Sequence, residues 1–158
     1  MTATERERIV VRINDESTPW FEDDLAMLAS ADALLAKCRS EFDVQALHLA
    51  LEAIWGVLGE TNRYFSKQEP WVLRKTDPAR MATVLYVTLE VVRIVGLLVQ
   101  PVMPDAASRI LDLLGQSEEN RQFADIAVRI DANRKLAVTA LRLARQIAGA
   151  EQSRPGLE

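Results

Sequence analysis

The sequence predicts an all-α protein, an up-and-down bundle of four to five helices. Three observations carry this expectation. Apolar residues recur at three- and four-residue steps along most of the chain. The prolines at 70, 78, 101 and 104 fall between these periodic stretches, where they end or restart helices. Hydrophobic residues make up 49% of the 158, enough apolar side chain for a core at a length that implies one domain.

Residues 1–20 read as an irregular or briefly extended lead: Ile9, Val10 and Val11 form a short β-branched run, and turn-forming residues follow. A first helix starts at about Glu22, where Glu22, Asp23 and Asp24 suit a helix N-terminus, and Leu28, Leu35 and Phe42 recur at seven-residue spacing. Asp43 is the expected N-cap of a second helix. Its apolar seam comprises Leu47, Leu51, Ile54, Leu58 and Phe65, with Trp55 expected in the core and Asn62 on the side of Leu58. Pro70 ends it, and Asp77 with Pro78 restarts the chain as cap and first helical residue. The next run, VLYVTLEVVRIVGLLVQ, is rich enough in β-branched residues to suggest a strand. Thr83, Tyr86, Glu90 and Arg93, at three- and four-residue steps, make it a helix with one polar stripe instead. Glu90 and Arg93 also interrupt its uncharged runs, which are far shorter than the roughly 20 residues of a membrane span. Pro101 and Pro104 break the chain before a short helix that ends at Gly115. Residues 21–124 are thus expected to form the bundle. A basic amphipathic helix is expected over 125–150, from Leu136, Ala140, Leu143 and Ile147 interleaved with Arg134, Lys135, Arg142 and Arg145, and a disordered tail over 151–158.

The net charge of −4 argues against a general nucleic-acid binder, but it is unevenly spread. Residues 1–61 hold 5 Lys/Arg against 12 Asp/Glu, residues 62–109 hold 7 against 4, and residues 110–158 hold 7 against 7. The net-positive segment begins at Asn62. It suits a partner bound at one place, and equally a chance cluster of solvated charge. The single cysteine, Cys38, excludes an internal disulfide or a cysteine-cluster metal site and fits a reducing compartment. The N-terminus has no apolar segment of a secretory signal, so a cytoplasmic protein is expected.

Catalytic patterns are sparse. Gly56 and Gly59 sit in a helical pattern without the strand a phosphate loop needs. The lone His48 has no second histidine or cysteine pair to ligate a metal with. Ser66 and Cys38 stand in ordinary helical context, not on a nucleophile's strained turn. Neither a catalytic residue, a metal nor a cofactor is expected.

Chemistry is concentrated instead in NRYFSKQEPW, residues 62–71, with Arg74 and Lys75 just beyond. A tryptophan following a proline amid basic side chains is either packed or available to stack on something planar and anionic, such as an RNA base with its phosphate. The stretch NRYFSKQEPWVLRKTDPARM, then LYVTLEVVRIVGLLVQPVMP and DLLG, resembles the helical anticodon-binding domain of methionyl-tRNA synthetases, class I enzymes, in the form found in alphaproteobacteria and mitochondria. The NRY-to-PW spacing, the Lys-Thr-Asp-Pro restart and the Pro-Val-Met-Pro break occur together and in order over residues 21–124. The resemblance implies that Trp71 stacks on an anticodon base. Asn62 and Arg63, near the same helix end, would read base edges or phosphate, or else hold the turn through backbone carbonyls. Arg74 and Lys75 would contact phosphate, or be solvated charge.

The family's first helix has no counterpart in residues 1–20, and no HIGH-type or KMSKS-type motif of the catalytic domain occurs. The resemblance is therefore to a truncated domain without its catalytic part. It implies a tRNA partner with a methionine-type anticodon loop, and no aminoacylation by this chain on its own. Whether the chain counts as an enzyme is left open, because a catalytic subunit acting in trans would complete a split methionine–tRNA ligase. A helical protein–protein module, including a self-dimer, is the alternative. No membrane partner is expected.

Overall fold

Acidic residues at its first turn and an extended Phe21 before it set the start of helix α1, Glu22–Asp43. The structure, a computed structural model, describes residues 21–126. The lead over 1–20, the tail over 151–158 and all but the first two residues of the basic helix expected over 125–150 lie outside the described residues.

Four more α-helices follow: α2, Leu47–Gln68; α3, Pro70–Thr76; α4, Pro78–Val99; and α5, Pro104–Leu113. Two short 3-10 turns, Glu118–Asn120 and Phe123–Ile126, complete the described chain. The all-α bundle is as the sequence predicts. Residues 125 and 126 lie in the second of these turns, which packs back on α1 and α4.

Two expectations about α1 and α2 are corrected. Asp43 does not cap α2 but is the last helical residue of α1. The chain leaves α1 through Gln45 at φ 60°, whose N–H donates to the Phe42 carbonyl while the Ala46 N–H donates to the Glu41 carbonyl. That is a Schellman ending built without the glycine that usually signals it. Trp55 is not core: it is 46% exposed, on the outer side of α2 with exposed Leu47, while Ile54 beside it is buried. The seam is narrower than the apolar residues of the sequence imply, and Phe42 at the end of α1 is likewise exposed.

Helix α4 is the axis of the fold, with 15 of its 22 residues buried against α1, α2, α3 and α5. It is long and apolar enough to cross a membrane by length and composition, but 78% of that segment is already covered within the bundle. Its polar stripe is buried too. Glu90 and Arg93 form a two-pronged ion pair, with Nε to Oε2 at 2.9 Å and Nη2 to Oε1 at 2.8 Å. Arg93 then donates to the main-chain carbonyls of Asp125 and Ile126, fastening the last turn to the core. Gly96 lets α5 approach closely, since a Cβ there would lie 3.2 Å from Leu111 Cδ2. Gly115, at φ 70°, ends α5 in the left-handed conformation its lack of a side chain favours.

Candidate nucleic-acid interface

The segment singled out in the sequence becomes a tight double turn. Helix α2 stops at Gln68, Glu69 takes a left-handed conformation (φ 45°, ψ 59°), and α3 begins at once with Pro70 in its first position. Proline fits there because its missing N–H would have had no helical partner. Glu69 serves both helices: its N–H donates to the Ser66 carbonyl, and its own carbonyl accepts from Val72 and Leu73. Seven residues on, Asp77 caps α4 by accepting from the Arg80 N–H at 3.0 Å, with Pro78 in the first helical position. This is the restart expected from the sequence.

Pro70 is buried, whereas Trp71 is 52% exposed. The indole meets the ring of Phe65 edge-on, with centroids 6.2 Å apart and planes at 61°, an arrangement aromatic pairs favour. Phe65 thus backs Trp71 from the last turns of α2, and the residue as a whole stays half exposed. Arg74 and Lys75 follow Trp71 by three and four residues, so they share its side of α3. Lys75 is exposed, and Arg74 is partly buried and already has a partner in the fold.

Asn62 is exposed one turn before Phe65 on α2, so it shares the face that leads to Trp71. Arg63 is about 100° further round the helix, toward α1. It lies 4.0 Å from Glu60 in an exposed pair, and it lines a shallow hollow with Asp23, Met27, Tyr64 and Lys67. The structure therefore groups Trp71 with Arg74, Lys75 and Asn62 and sets Arg63 apart. Among the described residues, neither Asn62 nor Arg63 hydrogen-bonds the Glu69–Pro70 turn.

What holds that turn is a network the sequence does not announce. The Asp24 carboxylate accepts a two-pronged ion pair from Arg80, with Nη2 to Oδ1 at 2.8 Å, and a hydrogen bond from the Tyr64 hydroxyl. Arg80 Nη2 also donates to Gln68 Oε1 at 2.9 Å, and the guanidinium carbon lies 4.1 Å from the centre of the Phe21 ring. Asp24, Tyr64 and Arg80 are all buried. Burial opposes charge on Asp24, but donors from Arg80, Tyr64 and the Phe21 N–H outweigh it and hold its carboxyl below the usual range. Burial and the Asp24 carboxylate push the Tyr64 hydroxyl well above its ordinary value. Arg80, though burial disfavours its charge, is held more firmly protonated by Asp24. In the sequence Asp24 is one of three acids at a helix start; nothing local distinguishes the one that turns inward.

With this geometry in place, comparisons with known proteins are decisive. The profile of the family described as the anticodon binding domain of methionyl tRNA ligase matches residues 14–147. The chain belongs to that family. The methionine–tRNA ligase of Mycobacterium tuberculosis is 60% identical over 111 residues, covering 68% of this chain and 21% of the relative. That of Rhizobium meliloti is 50% identical over 123 residues, covering 78% and 23%. Two crystal structures of the M. tuberculosis synthetase resemble the fold. Its free form does so with a TM-score of 0.68 at 49% identity, over 79% of this chain and 27% of that one. Its methionyl-adenylate-bound form does so with a TM-score of 0.68 at 50% identity, over 78% and 26%. This anticodon-binding-domain chain thus spans about a quarter of the length of the relatives it matches.

Proposed function

We propose that the chain binds tRNA by its anticodon loop at the junction of α2 and α3, with Trp71 as the stacking platform. The observation that carries this reading is the half-exposed indole, held on a seven-residue helix and backed by Phe65. A base needs a flat apolar face that is accessible and does not collapse into the core. Asn62 lies on the same approach, suited to hydrogen-bonding a base edge, and Arg74 and Lys75 would supply positive charge for the flanking phosphates. Arg63, on the side facing α1, would meet only a phosphate further along the loop. The expected ligand is the loop of a methionine-type tRNA in the cytoplasm, and the expected activity is binding without aminoacylation by this chain alone.

The test is a titration at fixed low salt of two anticodon stem-loops, one carrying CAU and one with that triplet changed. The CAU loop should bind more tightly, and Trp71→Ala should weaken it by roughly 5- to 150-fold, the loss of a base–aromatic stack of about 1–3 kcal/mol. Equal, weak binding of both loops that ignores Trp71→Ala would rule the reading out.

A second reading has one observation in its favour. Trp55 and Leu47 are exposed along the outer side of α2, a surface suited to a protein partner, whether a catalytic subunit or a second copy of this chain. Sedimentation equilibrium across concentration separates these, because only the second copy makes the apparent mass rise in the pure protein.

A further inference from the structure

Helix α3 has seven residues, too few to be stable by itself, yet it carries the exposed Trp71. One residue is bonded to positions flanking both of its ends. The Arg80 backbone N–H donates to Asp77, the residue after α3, and the Arg80 guanidinium donates to Gln68, two residues before α3. The same guanidinium is anchored on α1 through Asp24. Among the described residues, Gln68 is the side chain that links this anchored cation to the strained Glu69 turn that aims the indole.

A purely stabilising role explains the arrangement poorly. Apolar residues of similar volume commonly replace a buried ion pair without loss of stability, and here Arg80 Nε is buried with no hydrogen-bond partner among the described residues. A directional network that leaves a donor unsatisfied is what one expects where a fixed geometry matters more than stability.

We propose that Arg80 and Gln68 are positioning residues for Trp71, acting as a latch that fixes the direction of α3 and so the plane offered to the anticodon base. This rests on the anticodon-loop reading of the site. Gln68 is only partly buried, so its removal should leave the bundle folded and free α3 to pivot about Glu69.

The experiment measures binding of the CAU and altered stem-loops to the full chain and to Gln68→Ala, Gln68→Glu, Arg80→Lys, the Gln68→Ala/Arg80→Lys double variant and Trp71→Ala, alongside thermal unfolding of each. Gln68→Ala should weaken the CAU loop about tenfold, within the range lost with the ring itself, while its unfolding midpoint stays near wild type. The slope of affinity against salt should not change, because no phosphate contact is removed. Gln68→Glu, whose carboxylate still accepts from Arg80, should restore binding. If Gln68 acts through Arg80, the double variant should be no weaker than the worse of the two single ones. Wild-type affinity in Gln68→Ala, beside a clear loss in Trp71→Ala, would overturn the latch and leave the anticodon site standing. So would additive effects of Gln68→Ala and Arg80→Lys, which would mark Gln68 as an RNA contact in its own right. Indifference to Trp71→Ala would remove the site and the latch together.

Discussion

The fold buries two arginine–carboxylate pairs of similar geometry and different reach. Glu90 and Arg93 are three residues apart on one helix, and the arginine extends to two carbonyls of the final turn. Asp24 and Arg80 are 56 residues apart and join α1 to α4, with Tyr64 of α2 on the same carboxylate and Gln68 on the same guanidinium. The first pair is local to one helix and pins the turn at residues 123–126. The second sets how three helices and the Trp71 turn stand relative to one another. A local pair can form before the fold does, whereas the long-range pair exists only once the bundle is assembled.

The largest test of this difference is to remove each carboxylate. Asp24→Ala leaves the buried Arg80 guanidinium with Gln68 as its remaining hydrogen-bond acceptor and the Tyr64 hydroxyl without its own, and should lose about 3–5 kcal/mol of stability, the range for breaking a buried pair. Glu90→Ala should lose less, because Arg93 keeps the carbonyls of Asp125 and Ile126. Urea unfolding of both variants decides the order; equal losses would mean that reach adds nothing to a buried pair in this fold.

A smaller effect distinguishes the long-range pair by pH. The Asp24 carboxyl is held below its ordinary value, so its contribution is fully present above the unfolded value of about 3.9 and is lost as pH falls through the folded value beneath it. Tyr64 is raised, so its contribution is complete below about 10 and is lost as pH rises beyond. In Asp24→Asn the acid limb of the urea midpoint against pH should flatten. An unchanged limb would place the acid sensitivity elsewhere.

The same contrast explains what the sequence made legible. Local signals were sound. The steps from Thr83 to Arg93 identified a helix in a β-branched run, Asp77 and Pro78 marked its start, and Pro70 marked the break beside Trp71. Gln45 carried no signal, because glutamine rarely ends a helix in the left-handed conformation, and so Asp43 was assigned to the wrong helix. Trp55 misled in the other direction: helical periodicity fixes which residues share a face, but not how far neighbouring helices extend over it. At the site, Trp71, Arg74 and Lys75 are grouped by three- and four-residue steps that any reader can count. Asp24, Gln68 and Arg80 are grouped only by folding, and no spacing along the chain reports that.

The smallest effects test whether packing follows the same division, with the α4–α5 contact closed and the outer side of α2 open. Both Gly96 and Gly56 lie inside helices, where glycine costs about 1 kcal/mol relative to alanine. At Gly96 a Cβ would lie 3.2 Å from the buried Leu111 side chain and 3.4 Å from Ile110, so Gly96→Ala must displace a packed side chain by a few tenths of an ångström and should lose about 1–3 kcal/mol despite its better propensity. At Gly56 a Cβ meets nothing within 4 Å, so Gly56→Ala should gain about 1 kcal/mol with no rearrangement. Thermal unfolding of the two variants reads the opposite signs directly. A loss at Gly56 would mean that the surface around Trp55 is covered in solution, since only a neighbour pressed against bare backbone would resist the added methyl. That neighbour would be either a second copy or a part of this chain outside the described residues, and repeating the measurement at several protein concentrations separates them, because only self-association makes the loss grow with concentration.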